Sequence, residues 1–95
     1  MHHTSPGFWK YYNALLEEIQ VLSDKNFELL KKNPGHPSLH FKNIGKYWSV
    51  RTSLEYRSLG TDIEDGILWF WIGVHPEYER LIYHQKMQRK HMTRR

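Results

Sequence analysis

Two arginines stand inside short runs that otherwise read as strands. They are Arg51, closing Tyr47-Trp48-Ser49-Val50-Arg51, and Arg57, within Tyr56-Arg57-Ser58-Leu59-Gly60. A third run, Ile67-Leu68-Trp69-Phe70-Trp71-Ile72-Gly73-Val74, ends in His75, with Tyr78 three residues further on. An arginine in a strand is costly unless its head reaches water, a carboxylate or a phosphate. A sheet that offers two guanidinium groups, with an imidazole at its lip, is suited to holding a phosphodiester. An imidazole of ordinary pKa, near 6.5, can serve as acid or base close to neutrality. The phenol of Tyr78 can stack on a base or hydrogen-bond a phosphate. With Ser53-Leu54-Glu55 as the connecting loop, residues 51 and 57 face each other across the ladder and share a side. A loop of another length turns Arg57 to the opposite face. Either arginine can instead pair with Glu55, Glu77 or Glu79 as scaffold.

His36, His40, Lys42 and Lys46 lead into these runs, with Phe41, Tyr47 and Trp48 among them. Basic groups interleaved with aromatic rings suit RNA binding by charge and stacking. The same charges equally suit a solvated edge strand that resists pairing with another edge. If the segment around His40 and Lys42 is a strand, the two share a face, and His36 lies in a loop. A metal site is not expected. The chain has no cysteine, Pro37 and Ser38 disfavour a helix across His36 and His40, and no cluster of carboxylates completes four ligands. No cofactor is expected either.

The elements that must position these groups are legible along the chain. Ser5 and Pro6 suit an N-cap and first helical position. Phe8, Tyr12, Leu15, Ile19, Leu22 and Leu29 recur at helical spacing, beside a second row of Trp9, Leu16, Ser23, Phe27 and Leu30. Asn33-Pro34-Gly35 ends the helical region. Two helices, broken near Asn13–Leu16 or Ser23, are favoured over one long helix. Leu39 to Lys42 begins an edge strand, and strands then run from Gly45 to Arg51, Tyr56 to Leu59 and Ile67 to Val74. Asp65-Gly66 is the strongest hairpin signal in the chain. In the last strand Trp69 and Trp71 alternate onto one face, as core or half-core side chains. Pro76 to His84 reads as a short helix. Helices followed by an antiparallel meander imply a two-layer α+β sandwich: two N-terminal helices on a twisted antiparallel sheet of about four strands, with a short C-terminal helix or tail.

The chain has 95 residues, enough for one domain with a modest core, and 15% of them are aromatic. The formal net charge of +4 is unevenly placed. Residues 1–82 carry a net −1, whereas residues 83–95 hold Lys86, Arg89, Lys90, Arg94 and Arg95 without a single acid. The reading is therefore one domain over 1–82 and a basic tail over 83–95. The tail is either a solvated end or an arm that seeks RNA, DNA or an acidic partner. No apolar run approaches the length that spans a bilayer, and no apolar signal segment opens the chain, so a cytoplasmic protein without membrane contact is expected.

The ordered set Phe27 to Lys42, Tyr47-Trp48-Ser49-Val50-Arg51, Tyr56-Arg57-Ser58-Leu59-Gly60 and Trp69-Phe70-Trp71-Ile72-Gly73-Val74-His75-Pro76-Glu77-Tyr78-Glu79-Arg80-Leu81 resembles toxins of the RelE/ParE superfamily. These belong to bacterial type II toxin–antitoxin systems. The likeness is greatest to small HigB/RelE-like members, often labelled plasmid stabilisation proteins. Relatives often place a proline where Leu16 stands. The resemblance implies a compact α+β toxin that cleaves mRNA, usually on the ribosome, and is neutralised by a cognate antitoxin protein. The active residues of the family vary between its branches, so the candidate catalytic set of Arg51, Arg57, His75 and Tyr78, with His36, His40, Lys42 and Lys46 on the RNA, comes from the chemistry of the residues themselves, and the resemblance adds support for His75 alone. Metal-free cleavage of RNA needs a base for the 2′-hydroxyl, a cation for the charged phosphorus centre and an acid for the leaving 5′-oxygen. Two other readings stay open: a branch of the same superfamily poisons DNA gyrase and cleaves nothing, and an inactive member serves only as a binding module with its antitoxin.

Overall fold

The computed structural model describes residues 1–83, so the basic tail expected over 83–95 lies, from residue 84 on, outside the described residues. Strand β1 (His2–Thr4) opens the chain, followed by helices α1 (Pro6–Asn13) and α2 (Glu17–Lys32). A 3-10 turn (Pro37–Leu39) leads into β2 (Lys42–Ile44), β3 (Tyr47–Ser53), β4 (Tyr56–Ile63) and β5 (Gly66–Val74). Residues 75–83 are helical and form α3. The sheet order is β1-β5-β4-β3-β2. The meander β2 to β5 is antiparallel, and β1 pairs parallel to β5.

The α+β sandwich is as expected, with one strand more and a mixed sheet. The additional strand has a plain cause. His-His-Thr carries no apolar alternation, and β1 is held by its backbone along the edge of β5, from His2 opposite Ile67 to Thr4 opposite Trp69. The helix break falls at Ala14 to Leu16. Ser5 caps α1, its hydroxyl accepting from the Phe8 N–H at 3.2 Å. The change of direction also alters the helical phase, so Leu16 and Leu22 face solvent while Phe8, Ser23 and Leu30 are buried. The strand expected from Leu39 begins instead at Lys42, because Pro37 starts a 3-10 turn that His40 closes with a φ of 46°.

Two register shifts organise the sheet. On β3, Arg51 pairs with Arg57 and Ser53 with Tyr56, which leaves Thr52 as an extra residue. Asn26 of α2 donates its amide to the Thr52 carbonyl at 2.6 Å. On β5, Leu59 pairs with Trp71 and Gly60 with Trp69, which leaves Phe70 as the extra residue. That second bulge overturns the expected shared face of Trp69 and Trp71. Trp69 packs with Phe8, Leu30, Leu39, Val50 and Ile72 under α2. Trp71 packs with Leu59, Tyr78 and Ile82 on the other face, under α3. Both tryptophans are buried as expected.

Two features seat β1. Gly66 has a φ of +151°, and a Cβ there would meet the Met1 carbonyl oxygen at 1.8 Å. Trp69 Nε1–H donates to His2 Nδ1 at 3.0 Å. Burial holds the His2 imidazole below its ordinary 6.5, with smaller contributions from the N-terminal ammonium and Lys31. We expect Gly66→Ala to cost about 1–3 kcal/mol and to expose the Ile67 amide, which donates to the Met1 carbonyl, to hydrogen exchange. As pH falls, the unfolded chain takes up the His2 proton before the folded chain does. The stabilisation tied to neutral His2 is thus intact above the ordinary 6.5 and is lost as pH falls towards the lower folded value. Urea midpoints measured from pH 7.5 to 5 should fall, and His2→Gln should flatten part of that slope.

Candidate functional site

Direct pairing puts residues opposite one another on the same face of the ladder. Lys42, Ser49, Leu59 and Trp71 are paired in succession across β2 to β5, and Arg51 faces Arg57 two positions further along β3 and β4. All six therefore belong to the face that carries α3. Between that face and α3 lies a cleft of about 220 Å³, lined by His40, Lys42, Ser49, Arg57, His75 and Tyr78 among others. Five of the eight residues singled out by the sequence meet there.

Each is held by a different device. The His75 backbone N–H donates to the Glu55 carbonyl at 2.8 Å, which ties the end of β5 to the β3–β4 turn. Its Nε2 lies 3.1 Å from Glu79 Oε1, one helical turn on. A proton on Nε2 would face this carboxylate, and in that tautomer Nδ1 is the acceptor of the ring. The imidazole also stacks on Tyr78, with ring centroids 5.7 Å apart. Tyr78 is itself buried in the α3-side core. Its hydroxyl accepts from Ser49 Oγ at 2.8 Å and retains its own proton for donation.

Arg57 is half-buried, and its Nη1 reaches the carbonyls of Ser53, Leu54 and Tyr56 at 3.3, 3.2 and 3.0 Å. The guanidinium thus braces the β3–β4 turn. Among the described residues it forms no ion pair with Glu55, Glu77 or Glu79; Glu77 pairs instead with Arg80, and Glu79 with His75. Burial, and next the charge of Arg51, hold the Arg57 guanidinium below the usual arginine range. Two cations brought together this way favour an anion between or beside them.

The remaining three residues lie outside the cleft lining. Arg51 is on the same face, directly opposite Arg57. Lys46 sits in the β2–β3 turn, after Gly45 with its φ of 62°. His36 caps the 3-10 turn, its Nδ1 accepting from the Ser38 N–H at 3.2 Å. His40 is not in a strand with Lys42, yet the turn it closes brings it to the same cleft. Sequence reading passed over Ser49 and placed Glu79 only as a partner for arginine. The i,i+4 spacing of His75 and Glu79 signals their contact once the helix starts at residue 75. Among the described residues, no three of His, Asp and Glu come together to hold a metal.

No family model matches the sequence, and no curated protein matches it. Solved structures do. The chain is similar to a copper-bound mutant toxin from Helicobacter pylori, with a TM-score of 0.57 and 15% identity over 80% of this chain and 94% of that one. It is likewise similar to the isolated E. coli RelE toxin, with a TM-score of 0.56 and 11% identity over 88% of this chain and 96% of that one. Together, the two helices, the five-stranded sheet and these likenesses show that the chain has the RelE-like toxin fold.

Proposed function

We propose that this chain is the toxin of a type II toxin–antitoxin system, a cytoplasmic, metal-independent endoribonuclease that cuts mRNA on the ribosome and is neutralised by a cognate antitoxin. The observation that carries this reading is the convergence of His75, Tyr78, Arg57, His40 and Lys42 on one cleft of a RelE-like fold. The cleft is mostly polar and is lined by Arg57, with Arg51 opposite it on the same sheet face, which suits a phosphodiester better than an apolar ligand.

In this reading Nδ1 of His75 takes the proton from the 2′-hydroxyl, and Glu79 on Nε2 stabilises the imidazolium that results. The 2′-oxygen then attacks phosphorus. Arg57, Arg51 and the Tyr78 hydroxyl bear the charge that gathers on the phosphoryl oxygens. The bond to the 5′-oxygen breaks, that oxygen takes a proton from His40, and a 2′,3′-cyclic phosphate remains. Lys42 in the cleft, with Lys46 and His36 in the turns that flank β2, contacts the RNA strand, and the basic tail adds a contact to RNA or DNA.

Induced expression should arrest growth, and mapped mRNA ends should show new cuts within translated messages. His75→Ala and Arg51→Ala should each lower cleavage about a hundredfold or more while leaving the thermal midpoint close to that of the parent chain. Growth arrest with intact mRNA would overturn the assignment. A second, cheaper check uses inorganic phosphate. It should raise the thermal midpoint of the parent chain, and Arg57→Gln should abolish that rise.

A further inference from the structure

A wider cleft than the basic one lies elsewhere among the described residues. It occupies about 710 Å³ on the opposite side of the sheet, between β1, α1 and α2, and none of the candidate residues lines it. Such a volume is in the range of clefts that hold small molecules or peptide side chains. Its apolar part is a continuous set of rings. Phe27 packs edge-on against both Phe8 and Trp69, and Tyr12 edge-on against Trp9, with centroids 5.0–5.8 Å apart.

The polar atoms at this cleft are unequal. The donors of its rings are already engaged. Trp9 Nε1–H donates to Thr4 Oγ1 at 3.0 Å, and Trp69 Nε1–H to His2 Nδ1 at 3.0 Å. The Tyr12 hydroxyl donates to Asp24 Oδ1 at 2.8 Å. Burial first, and then that bond, push the Tyr12 phenol up to about 12, so it stays a donor through the whole neutral range. Lys31 is paired with Glu28 at 3.1 Å, and His3 meets Asp65. His2 keeps an Nε2–H, but the ring stays uncharged in the neutral range because burial holds its pKa down. What is left over is acceptor capacity. Among the described residues the Asp24 carboxylate meets only the Tyr12 hydroxyl, and the Glu28 carboxylate only Lys31.

Aromatic faces with both indole N–H groups spent attract cations through their quadrupoles. A carboxylate held in place by a phenol adds a charged acceptor. An anion would find Lys31 already paired with Glu28, and the indole and phenol donors of the rings already engaged. We infer that this cleft is a binding site for an alkyl-guanidinium or alkyl-ammonium group, with the charged head on Asp24 and the aliphatic stem over the rings of Trp9 and Tyr12. It is independent of the proposed nuclease site and lies across the sheet from it. The basic and the cation-accepting surfaces are thus separated by the full thickness of the core.

The same chemistry can come from an arginine or lysine side chain of a partner or from a free polyamine, and the test separates them. The full chain, labelled with ¹⁵N, is titrated with a blocked Gly-Arg-Gly peptide, its citrulline counterpart and spermidine, following the indole resonances of Trp9 and Trp69. The arginine peptide should shift both indoles, and the citrulline peptide should bind at least about tenfold more weakly. Tighter binding of the arginine peptide than of spermidine identifies a partner side chain as the source, and the reverse order identifies a polyamine. Asp24→Asn should weaken the cation about tenfold. Trp9→Leu, at a position 44% exposed, should weaken it similarly, with the thermal midpoint of the variant confirming that it folds. Equal binding of the arginine and citrulline peptides, or shifts absent with every cation, would overturn the inference. Cleavage of mRNA plays no part in either outcome.

Discussion

A single extra residue decides which way the arginines of this sheet face. Ser53 pairs with Tyr56 across a two-residue turn. In an unbroken ladder that turn would set Thr52 against Arg57 and Arg51 against Ser58, placing the two guanidinium groups on opposite faces. The bulge at Thr52 restores Arg51 opposite Arg57 and so puts both cations on the α3 side. It also removes the Thr52 carbonyl from the ladder, and α2 compensates through the Asn26 amide at 2.6 Å. One helix on the far face therefore maintains the irregularity that makes the near face basic.

The second bulge, at Phe70, does for the core what the first does for the charges. It sends Trp69 into the cluster beneath α2 and Trp71 into the smaller one beneath α3. Each face thereby gains one large ring as its centre. The α2-side cluster is the larger, and the wide aromatic cleft opens at its margin. The α3-side cluster is small and stops at Tyr78, whose hydroxyl marks the point where apolar packing gives way to the polar cleft. A sheet with two unlike faces is a direct product of two inserted residues.

Much of this was legible in the sequence, and the remainder was hidden for definable reasons. The apolar spacing located both helices, and the arginine pair was found opposite, although through a three-residue loop rather than a bulge and a tight turn. Bulges escape a pattern of alternation because they are departures from it, and Thr52 and Phe70 carry no residue signature of the kind Gly or Pro provides. Strand β1 escaped because backbone pairing holds it and its side chains are His, His and Thr. The chemistry of His75 was legible as a strand-end imidazole; its pairing with Glu79 depends on a helix that starts one residue before Pro76. Tyr78 was legible as a ring able to stack on a base or hydrogen-bond a phosphate, and it is 4% exposed because α3 turns it inward.

The β3–β4 turn holds an imidazole-bearing residue and a cation at once. Three of its carbonyls receive Arg57, and a fourth, from Glu55, receives the His75 amide. None of the four acceptors is a side-chain atom. The spacing between imidazole and guanidinium is therefore written in backbone coordinates, and the side chains of Leu54 and Glu55, both exposed, are free to drift without disturbing it. A template of this kind is blind to residue identity. It constrains the path of the hairpin tip and leaves the letters there unconstrained, so this part of the site is a matter of shape rather than spelling.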